Sequence, residues 1–145
     1  MKKRLLSLLL AALLLLGLAG CGTAINYDLP EEPMEFHTAE FVNPDDPEDG
    51  FLTIEYQGRT YVPYGTGSVG GKDVGACLGY IVQDGEVRDG DRIFPLTADP
   101  DRNYLAELTY RGFMDQPLFY RAMDTRGQTI DTPKFISSLG YAFWE

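Results

Sequence analysis

The sequence contains few of the side chains that catalytic and nucleic-acid-binding sites usually need. Its 145 residues include one histidine, two cysteines, and 12 lysine and arginine residues against 22 aspartate and glutamate residues, for a formal charge of -10. Nucleic-acid binding requires a basic surface, so this balance argues against a nucleic-acid partner. The histidine, His37, lies in an acidic segment outside the strand-rich part of the chain, which leaves a Ser-His-Asp or Cys-His site without its base.

The N-terminus has the pattern of a secretory signal. It reads MKKRLLSLLLAALLLLGLAGC, in which a basic start precedes an apolar run from Leu5 to Gly20 that is interrupted only by Ser7. Such a run between a basic start and small residues is typical of a signal peptide. It is shorter than the roughly 20 apolar residues that span a bilayer as a helix, although a permanent transmembrane helix is the alternative interpretation.

The end of this run, Leu18 to Cys21, resembles the lipobox of bacterial lipoproteins. The resemblance implies lipid transfer to the Cys21 thiol, cleavage before Cys21, and a mature chain anchored by acyl chains on the outer, extracytoplasmic face of the cell membrane. Two or more acyl chains give a lasting anchor, whereas a single chain binds only marginally. The predicted partner is therefore the membrane, through the lipid at Cys21. We identify no family resemblance for the domain from Gly50 to Glu145.

The second cysteine, Cys77, is predicted to be a buried, inert thiol. If Cys21 is lipidated, Cys77 has no partner for an intramolecular disulfide. It lies in the segment VGACLGYIV, which contains no histidine or basic residue that would lower the pKa of the thiol.

Composition divides the chain into a signal peptide at 1–20, a tether at 21–50 and a globular domain at 51–145. The segment from Gly22 to Gly50 contains four prolines, nine acidic residues and no lysine or arginine. As a flexible coil it would reach about 30 Å from the anchor. The apolar residues within Met34 to Val42 are sufficient for an edge strand, so part of this segment is expected to be ordered.

Alternation of apolar and polar residues predicts short strands along the domain. Residues 51–64 form a predicted hairpin with its turn at Gln57-Gly58-Arg59, and Pro63 places the second strand at an edge or near its end, because proline cannot donate to a ladder. The segment 83–92 is predicted to be a polar turn. Further strands are predicted at 76–83, 92–96, 103–110, 116–123 and 141–144.

The C-terminal region predicts one short helix. Thr132 fits an N-cap, Pro133 the first helical position and Gly140 the position after the end, which brackets a helix over Lys134 to Leu139. With about six or seven short strands, the domain is predicted to be mainly β, a small antiparallel barrel or sandwich with this one helix.

Glycines at 65, 67 and 70 fit the spacing G-x-G-x-x-G of phosphate-binding loops. The rest of the motif is missing, because Lys72 is followed by an aspartate instead of serine or threonine, and no helix-forming run follows. The segment is therefore predicted to be a flexible connection between strands. An interaction loop that includes Ser68 is the functional alternative.

Acidic residues cluster at 45–49, at 84–91 and at 99–101. None of these clusters has the ligand spacing of an EF-hand loop, and one histidine with one available cysteine is a poor zinc set. Solvated turns explain the clusters, so neither a metal nor a cofactor is predicted. Pairs of carboxylates also serve glycosidases, but only their separation and pKa define such a site.

Six tyrosines recur on the predicted strands and offer a platform for a glycan or a peptide: Tyr56, Tyr61, Tyr64, Tyr104, Tyr110 and Tyr120. Cross-strand packing in the core is the alternative role for these rings. Together with the glycine-rich segment, they give the following candidate ligand-binding residues: Tyr61, Tyr64, Gly67, Ser68 and Tyr110.

The function predicted from these features is that of a lipid-anchored, non-catalytic module that binds a protein or a cell-envelope ligand. The shortage of catalytic side chains favours binding over catalysis. A small hydrolase that acts on cell-envelope sugars through a carboxylate pair is the alternative. A third hypothesis is a subunit that caps another surface protein through an exposed sheet edge.

Overall fold

The computed structural model describes residues 23–110 and 116–145, so the predicted signal peptide and Cys21 lie outside the described residues. The predicted mainly β fold is confirmed, but the described residues form nine strands instead of six or seven, because the segment before residue 51 and the C-terminal region add strands of their own. Two short 3-10 turns, at Met123–Thr125 and Ala142–Trp144, lie before and after the last strand. The strands are β1 (Met34–His37), β2 (Ala39–Val42), β3 (Gly50–Tyr56), β4 (Arg59–Gly67), β5 (Gly79–Gln83), β6 (Glu86–Pro95), β7 (Tyr104–Thr109), β8 (Leu118–Ala122) and β9 (Ile136–Ser138).

Residues 34–42 close the sheet into a nearly complete barrel. The sheet runs in the order β1-β5-β6-β7-β8-β4-β3-β2, and β9 pairs with β4. β1 and β2, the two ends of this order, are separated in the chain by Thr38 alone. β1 pairs in parallel with β5 and β2 pairs antiparallel with β3, so one continuous stretch joins both edges of the sheet. The other strand pairs of the described sheet are antiparallel.

The inside of the barrel is filled by side chains that converge from seven strands. A small barrel has room for its own side chains and little else, so this filling forms the first part of the core. The residues are Phe36, Ile54, Tyr56, Tyr61, Ile81, Ile93, Leu105, Tyr120 and Ala122.

A second apolar layer covers the outer faces of β6, β7 and β8. Its buried members include Phe94, Tyr104, Ala106, Leu108 and Phe119, and the segments around Ile25, Tyr27, Val69, Ile130 and Phe135 pack over them. Because both faces of these strands are buried, their sequences carry apolar residues at successive positions instead of a simple alternation.

The acidic segment before residue 51 belongs to the folded domain from residue 23 onward. The carbonyl of Thr23 accepts a hydrogen bond from the amide of Gly71 at 2.7 Å, and Ile25 and Tyr27 pack on the outer apolar layer. The edge strand predicted within Met34–Val42 is present as β1 and β2. Burial of a few apolar side chains therefore orders these parts of an otherwise polar segment against the barrel. The division of the chain at residues 20 and 50 stays a prediction.

The predicted helix over Lys134 to Leu139 is absent, and β9 occupies its place beside β4. Gly65 and Gly67 explain the difference. A Cβ on Gly67 would lie 1.9 Å from the carbonyl oxygen of Phe135, so only glycine lets the C-terminal backbone approach this strand. The predicted last strand at 141–144 is likewise replaced by a 3-10 turn.

The predicted hairpin is confirmed, but its second strand is not an edge. Gln57 and Gly58 both have positive φ, 49° and 75°, as the tight turn between antiparallel strands requires. β4 pairs with β8 as well as with β3, and the register shifts between Pro63 and Gly65. A local irregularity therefore accommodates the proline inside the sheet.

One end of the barrel is closed by the side chain of Arg59. Its guanidinium donates two hydrogen bonds to the carboxylate of Asp124, at 2.8 and 2.6 Å. It also donates to the carbonyls of Asp101 and Arg102 and to the side chain of Asn103. These hydrogen bonds connect the start of β4 with the loop before β7 and the 3-10 turn after β8.

Cys77 is buried, as predicted, and burial raises the pKa of its thiol. Over residues 23–110 and 116–145, the chain forms no helix with the length and apolar character that crossing a membrane requires.

Candidate functional site

The barrel is hollow at the end opposite Arg59. A cavity of about 400 Å³ lies there, within the size range of small-ligand sites. It is formed where β3, β6 and β8 begin and where β5 and β7 end. The wall combines aromatic rings with ionisable groups: Phe51, Arg88, Asp91, Glu107, Tyr120 and Tyr141. We call this cavity the barrel mouth.

An irregularity in β6 brings two of these groups to the barrel mouth. Tyr80 pairs with Arg92 and Val82 with Val87, so four residues of β6 oppose a single residue of β5. Gly90 has a φ of 106° within this bulge, a conformation that side-chain-bearing residues rarely adopt. The bulge places Arg88 and Asp91 beside the cavity, with the Arg88 Nε 3.4 Å from the Asp91 Oδ2.

Glu107 is the carboxylate set into the inner wall of the mouth. Glu107 lies in β7, opposite Ile93 of β6 and two residues from Leu105. Its side chain therefore faces the barrel interior, as the side chains of these two core residues do. The hydroxyl of Tyr120 donates a hydrogen bond to the Glu107 Oε2 at 2.6 Å. Burial raises the pKa of Glu107, and the hydrogen bond from Tyr120 offsets part of this rise.

Asp91 is an acidic neighbour of Glu107 across the sheet. Asp91 pairs with Thr109, two residues beyond Glu107, so the two carboxylates are diagonal neighbours on one face. The Cα atoms of such neighbours lie roughly 7–8 Å apart. Asp91 accepts a hydrogen bond from the Thr109 hydroxyl at 3.0 Å, and its charge further raises the pKa of Glu107. The mouth therefore holds an acid that is easily protonated next to a second, hydrogen-bonded carboxylate.

The raised pKa of Glu107 predicts a dependence of stability on pH. The folded state keeps the Glu107 proton more strongly than the unfolded state, whose pKa is near 4.5. Glu107 therefore favours folding below pH 4.5, and this contribution is lost as the pH rises through the folded-state pKa. We expect Glu107→Gln, which stays neutral, to unfold at the same urea concentration as wild type in acid and at a higher concentration at neutral pH.

Glu86→Gln is the matched control, because Glu86 is exposed on the same strand. Urea titrations of the three proteins between pH 4 and 8 measure the effect. A Glu107→Gln protein that is no more stable than wild type at pH 8 would contradict the assignment of Glu107 as a destabilised carboxylate.

The structure separates the tyrosines that were predicted to bind ligand. Tyr61 is fully buried inside the barrel, and its hydroxyl donates to the carbonyl of Arg102 at 2.6 Å. Tyr64 lies on the opposite face of the sheet, where its ring contacts Tyr104 and Trp144. Of the six strand tyrosines, Tyr56, Tyr61, Tyr104 and Tyr120 are buried. A single platform of these rings is therefore not formed.

The remaining predicted residues also lie apart from one another. Gly67 is the last residue of β4 and makes room for β9, whereas Ser68 is exposed just after it. Tyr110 is 42% exposed and lies beside a second cavity of about 410 Å³, where its ring is 5.2 Å from that of Tyr27. Ligand binding by Ser68 or Tyr110 stays a prediction.

Glu107, Asp91 and Arg88 are not among the site residues predicted from the sequence. Simple alternation in the predicted strand 103–110 places Glu107 on the face opposite Tyr104 and Leu108, and Arg88 and Asp91 fall in the predicted polar turn. One signal was available for Glu107, because Leu105 shares its face and indicates that this face is buried. For Asp91 and Arg88 there was no such signal, since the bulge that positions them depends on pairing with β5.

In the two described stretches of the chain, no three or more histidine, cysteine, aspartate or glutamate residues are grouped so that they could hold a metal ion. Comparison with protein-family models, with curated proteins and with solved structures gave no match in any of the three.

Proposed function

We propose that this protein is a lipid-anchored, extracytoplasmic binding module that takes a small cell-envelope ligand into the barrel mouth. The lipobox-like residues Leu18 to Cys21 support the anchor. The observation that carries the binding role is the cavity of about 400 Å³ with Glu107 in its wall.

The energetics of Glu107 support a functional role for the mouth. A core position next to Ile93 and Leu105 would be more stable with an apolar side chain than with a carboxylate that must lose part of its hydration. Groups with perturbed pKa values in a cleft mark binding and catalytic sites more often than other surface. A carboxylate at this position therefore lowers the stability of the fold, and it provides a charged group that can bind a ligand.

Native mass spectrometry with a soluble digest of bacterial cell wall tests the proposal. We expect the full-length protein, purified in a non-ionic detergent, to carry a digest component as an adduct of defined mass. Leu118→Trp fills the mouth, because Leu118 is partly exposed in its wall. This variant should lose at least nine-tenths of the adduct.

Asp101→Trp is the control for the added ring, because Asp101 is exposed at the closed end of the barrel. It should bind like wild type, and circular dichroism should show that both variants are folded. If no adduct forms with wild type, or if both tryptophan variants bind equally well, the mouth is not the ligand site.

A carboxylate-dependent hydrolase is a second candidate, favoured by the Glu107 and Asp91 pair. The two residues are diagonal neighbours on one face of the sheet, and a glycosidase needs two carboxylates that flank the bond to be cleaved. Glu107 would be the acid, since burial raises its pKa, and Asp91 the base. The mass of the bound component separates the two functions: a binding module returns it unchanged, whereas a hydrolase returns fragments with new reducing ends, and Glu107→Gln abolishes them.

A further inference from the structure

The ionisable groups of the barrel mouth are unequal in charge. Three carboxylates line the cavity, those of Asp49, Asp91 and Glu107, against the single guanidinium of Arg88. Arg88 is directed to Asp91, at 3.4 Å, and donates to the Gln83 side chain at 2.7 Å. Among the residues that the structure describes, no ion pair includes Glu107 or Asp49. The lining of the mouth therefore contains more acidic groups than basic ones.

Aromatic rings surround the same space. Phe51 and Tyr141 meet edge to face with ring centroids 5.3 Å apart, and Tyr120 lies deeper in the wall. The faces of such rings attract cations, most strongly where water is excluded. An anion, in contrast, would be repelled by the ring faces and by ionised carboxylates.

From this combination we infer that the barrel mouth recognises an organic cation, a primary ammonium group on a short aliphatic chain. The ammonium group would donate hydrogen bonds to Glu107, and the aliphatic chain would lie along Phe51, Leu118 and Tyr141. A volume of about 400 Å³ holds a few carbon atoms with their hydration, not a polymer. This inference rests on the proposed function and names the class of its ligand.

The partly buried position of Glu107 makes the site selective for a charged ligand. An opposite charge within roughly 4–6 Å favours an ionised carboxylate, so a bound ammonium would supply the interaction that the empty site lacks. The groups that face Glu107 are the hydroxyl of Tyr120, the carboxylate of Asp91 and the guanidinium of Arg88. A neutral alcohol of the same length offers no charge to this carboxylate.

Three probes that differ only in their head group test the inference: n-butylamine, n-butanol and butanoate. Each is titrated into the full-length protein in a non-ionic detergent while the backbone amide resonances are followed by NMR. We expect butylamine at pH 7 to shift the resonances of residues 51, 107 and 141, and the other two probes to bind at least tenfold more weakly. Glu107→Gln should weaken butylamine at least tenfold, whereas the exposed Glu86→Gln should not.

Butanol that binds as well as butylamine, or butylamine binding that Glu107→Gln leaves unchanged, would overturn the cation assignment. So would the absence of shifts at the mouth with all three probes. Each of these results leaves the cell-wall adduct and its loss in Leu118→Trp as they were, so the failure of this inference is distinguishable from the failure of the proposed function.

Discussion

Phe36→Ala is expected to lower the free energy of unfolding by about 3–5 kcal/mol, the usual cost of deleting a buried phenylalanine ring. Phe36 is 1% exposed and is the one side chain that β1 contributes to the barrel interior. The centroid of its ring lies 6.2 Å from that of Tyr56 in β3. This contact spans the seam of the barrel, by which we mean the junction between β1 and the β2–β3 side of the sheet. Small domains are stable by only about 5–15 kcal/mol, so Phe36→Ala should unfold at a much lower urea concentration than wild type.

The same substitution should open the seam locally. The amides of Met34 and Thr38 donate to the carbonyls of Leu78 and Val82, both at 3.0 Å, and these bonds hold β1 against β5. Their hydrogen exchange should accelerate in Phe36→Ala more than exchange in β7 does. Phe41→Ala is the matched control, because Phe41 lies on the same stretch but is only partly buried. If the two variants lost equal free energy of unfolding, Phe36 would have no special role in closing the barrel.

Cys21→Ala is expected to abolish lipidation completely. Cells grown with an alkyne-bearing fatty acid should label the wild-type protein, and the label should vanish when the Cys21 sulfur is removed. The physical reason is that a thioether or thioester needs a sulfur nucleophile at this position, and alanine has none. Gel fluorescence after coupling of a dye to the alkyne measures the result.

The chain carries its own control for this experiment. Cys77→Ala removes the other thiol, which is buried and has a raised pKa, so it should leave the label unchanged. A Cys21→Ala protein that keeps its label, or a wild-type protein with an intact N-terminal Met1, would contradict the proposed anchor.

Local pattern was sufficient where a strand depends mainly on its own sequence. The hairpin of β3 and β4 was predictable, because alternating residues flank a Gln57-Gly58 turn whose positive φ values suit a tight connection. The strand at Tyr104–Thr109 and the burial of Cys77 followed from the same kind of signal.

Pairing partners decided what local pattern could not. The segment after Pro133 has good helix punctuation, yet it forms β9, because glycines in β4 leave its backbone room to pair. The acidic residues before Gly50 resemble a tether, yet they hold the two half-strands that close the barrel. In both cases the stabilising partner lies far away in the sequence.

The candidate site shows the same division. Tyrosines were visible in the sequence as possible binding groups, but the fold buries four of the six on the strands. Glu107 and Asp91 were visible only as two of many acidic residues. They reach one cavity because of the bulge in β6 and because the register of β7 places Glu107 on the inner face of the barrel.

The sequence by itself determined the acidic balance, the N-terminal signal pattern and a mainly β fold, because charge, hydropathy and period are properties of neighbouring residues. The tertiary structure alone decided how the barrel closes and which carboxylate faces its mouth. These features depend on which strands pair and in what register, and a shift of one residue in the register turns every side chain to the other face.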